Sequence, residues 1–173
     1  MWSPELIKGI LGRIETLEGR TPATRPVSSR SREAELKIIG KQALPLIVDA
    51  WYQGETTLDA RPFTILFFWE AWCPHCKREL PRAPAFLEGR DDRLQVIALT
   101  KQTRNITDSQ VRDFINEHGL RFAVAKERGD AQSQHYGVRG IPAAALLHRG
   151  AVIWRGHPSR LHDVLDALME ESR

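Results

Sequence analysis

At 173 residues, with 42% apolar and 27% charged side chains, the chain is long enough for one packed domain and too apolar to be disordered throughout. Its net charge of +3 is dispersed apart from one early arginine-rich stretch, which excludes the dense basic face of a nucleic-acid binder, so no nucleic-acid partner is expected. No run of about eighteen apolar residues occurs. The opening MWSPELIKGILGR also lacks the charged region, apolar region and small-residue cleavage site of a secretory leader, so neither a span nor a leader is expected.

Ser3 to Glu18 reads as a helix. Ser3 is placed to cap it, Pro4 fits the first helical position, and Leu6, Ile7, Ile10, Leu11, Ile14 and Leu17 form a stripe at helical spacing. Such a stripe docks on the chain's own domain or on a second copy, leaving monomer and dimer both open, and any membrane contact would run through this helix alone. GRTPATRPVSSRSR, Gly19 to Arg32, is rich in Pro, Ser, Thr and Arg and has no periodicity, which predicts a flexible linker. Residues 1–32 are thus expected as an extension and residues 33–173 as the domain.

Within the domain, LPLIVDAWY predicts a first strand near Leu46 to Val48. PFTILFFW, Pro62 to Trp69, is a continuous apolar and β-branched run, the pattern of a central strand covered on both faces. Cys73 begins the next helix, which bends at Pro81 and Pro84. LQVIALT, Leu94 to Thr100, is a second buried strand. In TDSQVRDFINEHG, Thr107 and Gln110 make a capping box, Val111, Phe114 and Ile115 face inward, and Gly119 ends the helix. A short strand from Arg121 and a helical piece over Ala131 to Tyr136 lead to a hairpin, Ala143 to Leu147 and Ala151 to Arg155, joined by His-Arg-Gly. Ser159 is expected to cap a last helix with Leu161, Val164, Leu165 and Leu168 on one face. This order predicts an α/β fold with a mixed sheet and helices on both faces.

FFWEAWCPHCKRELP, Phe67 to Pro81, contains both cysteines of the chain, spaced three apart where a strand meets a helix. Amides in a first helical turn have no intrahelical partner, and the helix dipole adds positive charge there, so this position favours an anion at Cys73, with His75 beside it. Cys76, one turn on, is placed to close a disulfide with Cys73 and is expected to be less accessible. That geometry suits thiol–disulfide exchange in either direction. A zinc site needs more ligands than the sequence brings to this spacing, and a structural bridge three residues long would remove little chain entropy. A dithiol module handling copper(I) is the alternative from the binding class, because soft thiolates select that ion.

With GVRGIP some sixty residues later, this motif resembles the thioredoxin fold and, more narrowly, the TlpA-like thiol:disulfide oxidoreductases of the redoxin superfamily; the likeness runs from about Ile39 to the C-terminus. The resemblance implies a thioredoxin-like three-layer sandwich. It also implies Cys73 as nucleophile, Cys76 as resolving thiol, and Pro142 as a cis-proline facing the pair, with substrate pairing along Ile141 and Trp72 walling the groove. Glu79 falls where such proteins keep an acidic residue near the resolving cysteine, and with His75 it is the expected tuning group. Partners would be protein thiols and disulfides and an unidentified recycling partner. No organic cofactor or metal is implied. The setting would be extracytoplasmic, or cytoplasmic if Met1 is the true start.

The superfamily also holds peroxiredoxins, the second alternative, whose Pro-x-x-x-Thr/Ser-x-x-Cys pattern meets Leu66 and Glu70 here. Glu70 stands where small residues are commoner, and since a carboxylate near Cys73 would oppose a thiolate, it is expected to point to solvent. Trp69 is expected in the core.

Overall fold

The computed structural model describes residues 3–20 and 28–172. At its centre is β2 (Phe63–Phe68), all of whose side chains are buried. The two-sided cover comes from alternation: Ile65 and Phe67 enter one apolar cluster, Leu66 and Phe68 the other. β3 (Leu94–Thr100) runs parallel to it and repeats the pattern, with Val96 and Ala98 on the first side and Ile97 and Leu99 on the second. On its other edge β2 pairs antiparallel with β5 (Ala143–His148), which turns into β6 (Ala151–Gly156) through Arg149 and Gly150 at φ 47 and 82, the two left-handed positions a tight hairpin needs.

β4 (Ala123–Glu127) lies parallel to β3, and β1 (Val48–Gln53) closes that edge antiparallel to β4, giving the order β1-β4-β3-β2-β5-β6. The first strand therefore starts at Val48, at the C-terminal end of the expected stretch, because its pairing is with Ala123–Glu127 and runs through Trp51 to Gln53. The mixed sheet itself is as expected.

One face of the sheet carries α1 (Pro4–Arg20), α3 (Pro74–Glu79), α5 (Asp108–Glu117) and α7 (Pro158–Glu171). A 3-10 turn, Leu80–Arg82, and the short α4 (Pro84–Leu87) follow α3, the break coinciding with Pro81 and Pro84. The capping box of α5 is present, and Val111, Phe114 and Ile115 are its buried residues. The other face is covered more thinly, by Tyr136 at the end of α6 (Ala131–His135), by Ile38, and by partly buried Leu46 and Trp51.

In α1, Ile10 and Ile14 of the predicted stripe are buried and the helix packs on α7, while Leu6 is 43% exposed. Part of the predicted linker is helical instead: α2 (Ser29–Leu36) starts behind Ser28, whose hydroxyl accepts from Ser31 N at 3.2 Å. It buries no residue, so it has no apolar stripe to reveal it. Ion pairs hold it. Both Glu35 oxygens accept from Arg160 at 2.8 Å, and Arg32 pairs with Glu18. The rest of that predicted linker, residues 21–27, lies outside the described residues. The last helix also differs from expectation: His157, not Ser159, is its N-cap, its Nδ1 accepting from Ser159 N at 3.2 Å with Pro158 next in line. Among the described residues no helix is long and apolar enough to cross a membrane.

Candidate active site

The register of the central strands assembles the site. Phe68, the last residue of β2, faces Ala143, the first of β5, so the chain leaving β2 and the chain entering β5 run side by side. Trp69 continues inward, is 1% exposed, and packs against Phe114 in a tilted arrangement with ring centroids 5.0 Å apart, a core residue as expected. The backbone then turns, Cys73 N donating to Glu70 O at 3.1 Å, and Cys73 takes the N-cap position of α3 with Pro74 at the first helical position. Its sulfur receives the Cys76 amide at 3.2 Å. The opposing loop brings Ile141 and Pro142 to the pair: the bond between them is cis, and Ile141 O lies 3.9 Å from Cys73 Sγ. Both cysteines are unbridged, Cys73 at 3% and Cys76 at 0% exposure, the order of access expected.

The surroundings of Cys76 hold its proton. Burial pushes the Cys76 thiol well above the ordinary range, and its hydrogen bond with Cys73 and the negative charge of Glu70 add to this, against an opposing bond to the Glu70 backbone. His75 is exposed, its Nδ1 2.8 Å from Arg78 Nη2. Glu79 is 5% exposed, and Oε2 accepts from Arg82 Nη1 at 3.1 Å. It is a buried, paired carboxylate one turn beyond Cys76.

Glu70 departs from the expectation that it points to solvent. It is 5% exposed. Its oxygens accept from Thr100 Oγ1 at 3.1 Å, Lys101 N at 3.2 Å and Thr103 N at 3.2 Å. These donors supply what burial removes, so the carboxylate is satisfied inside the protein. They come from the end of β3 and the loop after it, where Gln102, Arg104 and Asn105 all adopt positive φ, a conformation that non-glycine residues hold only under surrounding constraint. The same loop supports Trp72: Thr103 Oγ1 accepts from Trp72 Nε1 at 2.9 Å and the Arg104 guanidinium lies 3.5 Å above the indole. Trp72 is half-buried and lines a cleft with Ile141, the place expected of a groove wall.

On the far side of Ile141 an open cavity of about 780 Å³ is bordered by His75, Glu79, Arg82, Pro142, His157 and Arg160. His157 was not anticipated as a neighbour of the site. Burial holds its imidazole below the ordinary histidine range, against an opposing pull from Glu79. A signal existed: in His-Pro-Ser, a proline at the first helical position makes the residue before it the cap. Among the described residues no group of three or more His, Cys, Asp or Glu side chains is arranged to hold a metal ion.

A mixed sheet whose central strand ends in a Cys-x-x-Cys helix start, facing a cis-proline, defines a thioredoxin-like protein. The AhpC/TSA family profile matches residues 39–156, and the chain belongs to that family, in keeping with the redoxin resemblance of the motif. Among curated proteins it is similar to sporulation thiol-disulfide oxidoreductase A of Bacillus subtilis (strain 168), with 30% identity over 49% of this chain and 52% of that one. It is likewise similar to thiol-disulfide oxidoreductase ResA of Bacillus cereus (strain ATCC 10987 / NRS 248), with 30% identity over 71% of each chain. The chain spans about half the length of the first of these relatives. Of solved structures, StoA from Bacillus subtilis superposes with a TM-score of 0.55 at 23% identity, covering 72% of this chain and 96% of that one. A thioredoxin-like protein in the oxidized form reaches a TM-score of 0.66 at 19% identity, over 77% and 98%. These likenesses confirm the thioredoxin-like fold.

Proposed function

We propose that the protein is a thiol:disulfide oxidoreductase acting on polypeptide thiols and disulfides through Cys73 and Cys76. The observation that carries this reading is the Cys76 amide donating to Cys73 Sγ at 3.2 Å at the head of α3, because an otherwise unpartnered first-turn amide binds a sulfur anion more strongly than a thiol. Two curated relatives named as thiol-disulfide oxidoreductases support it.

In the reducing direction the Cys73 thiolate attacks one sulfur of a substrate disulfide. That bond breaks, the second substrate sulfur leaves as a thiolate and takes a proton from water, and a mixed disulfide remains. Cys76 then gives up its proton and attacks Cys73 Sγ, releasing the other substrate thiol and leaving a Cys73–Cys76 disulfide. Two electrons have passed from the pair to the substrate. The reverse sequence oxidises a substrate dithiol, and an unidentified redox partner resets the pair.

Glu79, buried at the end of the helix that carries Cys76, is the group to which this reading gives the Cys76 proton, and His75 modulates the entrance. Trp72, Ile141 and Pro142 shape the groove in which the substrate lies. The sulfurs themselves hold the electrons, so the reading needs no organic cofactor and no metal. An extracytoplasmic setting, where disulfides persist, fits this activity.

Insulin reduction with single variants tests the scheme. Cys73→Ser is expected to abolish turnover and Cys76→Ser to accumulate mixed disulfides; ordinary turnover without Cys73 would remove the mechanism. The reduction potential of the pair then decides the direction.

A further inference from the structure

The cleft on the Trp72 side of Ile141 differs from the cavity beyond Pro142. It encloses about 200 Å³, below the ~300–1,000 Å³ usual for a site that engulfs a small ligand, and is the size to take one or two side chains of a longer partner. Phe68, Leu99 and Val138 give it an apolar floor, and Glu70 also lines it; Trp72 and Ile141, both next to Cys73, form its walls. Whatever enters it is therefore adjacent in space to the reacting sulfur.

The rim is cationic. Lys101 and Arg139 line it and are exposed; among the described residues neither has a carboxylate within ion-pair distance, and Lys101 acts on Glu127 from further off. Arg104, also exposed, sits on the outer face of Trp72. Lys77 and Arg78 are exposed on the helix behind Cys73. Glu70, which lines the cleft, and Glu127, bonded to its Ser133, are turned inward, while Asp130 at the head of α6 is exposed. Glu70 is 5% exposed and held by Thr100, Lys101 and Thr103. Glu127 is 1% exposed and is held by Ser133, which donates from N at 3.3 Å and from Oγ at 2.7 Å. Both carboxylates have their donors in the protein, and it is Lys101 and Arg139, not they, that are exposed at the cleft.

We propose that this cleft is a subsite for an acidic side chain placed close to the reacting cysteine of a substrate polypeptide, and that Lys101 and Arg139 determine the preference. The inference rests on the thiol:disulfide oxidoreductase reading and assigns its substrate class. Charge of one sign around a cleft raises the encounter rate with the opposite sign, and exposed pairs lose that advantage as salt shortens the Debye length to about 10 Å at 0.1 M.

The test uses the full-length protein and matched peptide disulfides whose cysteines are flanked by two Glu, two Gln or two Lys residues. At low ionic strength kcat/KM is expected to fall in the order Glu, Gln, Lys, with roughly a five- to tenfold spread that shrinks as salt is added. The double variant Lys101→Glu with Arg139→Glu is expected to invert the order, and the milder Lys101→Gln with Arg139→Gln to flatten it. An order unchanged in both variants, or no dependence on the flanking charge in the parent protein, would overturn the assignment. Failure to turn over any peptide, the Gln form included, would instead strike the oxidoreductase reading and this subsite with it.

Discussion

Thr103 donates its backbone amide to Glu70 Oε2 at 3.2 Å, so a carboxylate buried at the base of the cysteine turn positions a loop 33 residues further along the chain. Glu70→Ala would leave that amide, the Lys101 amide and the Thr100 hydroxyl without their acceptor. A buried unsatisfied donor costs about 1–3 kcal/mol, and water entering the vacated space recovers part of it, so a loss of about 2–4 kcal/mol in urea unfolding is expected. Glu70→Gln, which keeps one acceptor oxygen, should lose less than half as much. An alanine variant as stable as the parent would show that the carboxylate does not organise the loop.

The buried position of Cys76 makes a prediction about labelling. Because burial raises its thiol, alkylation of Cys76 in a Cys73→Ser protein should be slow at neutral pH and should keep climbing, close to tenfold per pH unit, into the alkaline range. Mass spectrometry of iodoacetamide-treated samples reads this directly, and a rate that levels off near pH 7 would contradict it. Linkage has a definite sign here. Above about pH 9.0, the ordinary thiol value, the unfolded chain loses this proton while the folded chain keeps it, so stability declines on the alkaline side.

His157 gives the acid side its own signature. Its Nδ1 must stay unprotonated to accept from Ser159 N, and burial lowers its affinity for the proton. Below about pH 6.5, the ordinary histidine value, the unfolded chain therefore takes up a proton that the folded chain refuses, and stability falls with falling pH. His148 and His162, also lowered by burial, act in the same sense. Each contributes a slope of at most about 1.4 kcal/mol per pH unit. His157→Asn, which retains a cap acceptor, is expected to narrow the stability difference between pH 7 and pH 5 measured by urea unfolding. Glu127, raised by burial, acts with the opposite sign but cancels in that comparison. An identical pH dependence in both proteins would exclude His157 as a contributor.

The docking of α1 is testable through Ile14, 3% exposed in the core cluster that contains the α7 side chains. Ile14→Ala should cost about 2–4 kcal/mol, the lost transfer energy plus the cavity left behind. A melting temperature equal to that of the parent would mean that the helix adds nothing to the fold.

What could be read from the residues alone follows the range of the interactions. Strand β2 was legible because its apolar run is long enough to be covered on both faces, and α5 because Thr107 and Gln110 lie within one turn. The cysteine pair announced itself for the same reason: spacing and helix start are local. The burial of Glu70 is not legible, because its partners, Thr100 to Thr103, are thirty residues away and its neighbours carry no mark of them. Helix α2 escaped notice because ion pairs to Arg160 and Glu18, rather than an apolar stripe, hold it in place. Serine is the more usual cap, so the sequence favours Ser159, although Pro158 marks His157.

The rung joining Phe68 to Ala143 has a consequence for the nascent chain. Cys73 and the Ile141 carbonyl are 68 residues apart, yet each lies a few residues beyond that one pairing, so they meet only when β5 has found its register on β2. A slip of one residue would turn every β5 side chain to the opposite face. During synthesis, before β5 emerges, the chain carries two plain thiols and no groove to present a target to them. The groove thus arrives with completion of the sheet, so presentation of a target to Cys73 waits on the last strands of the chain.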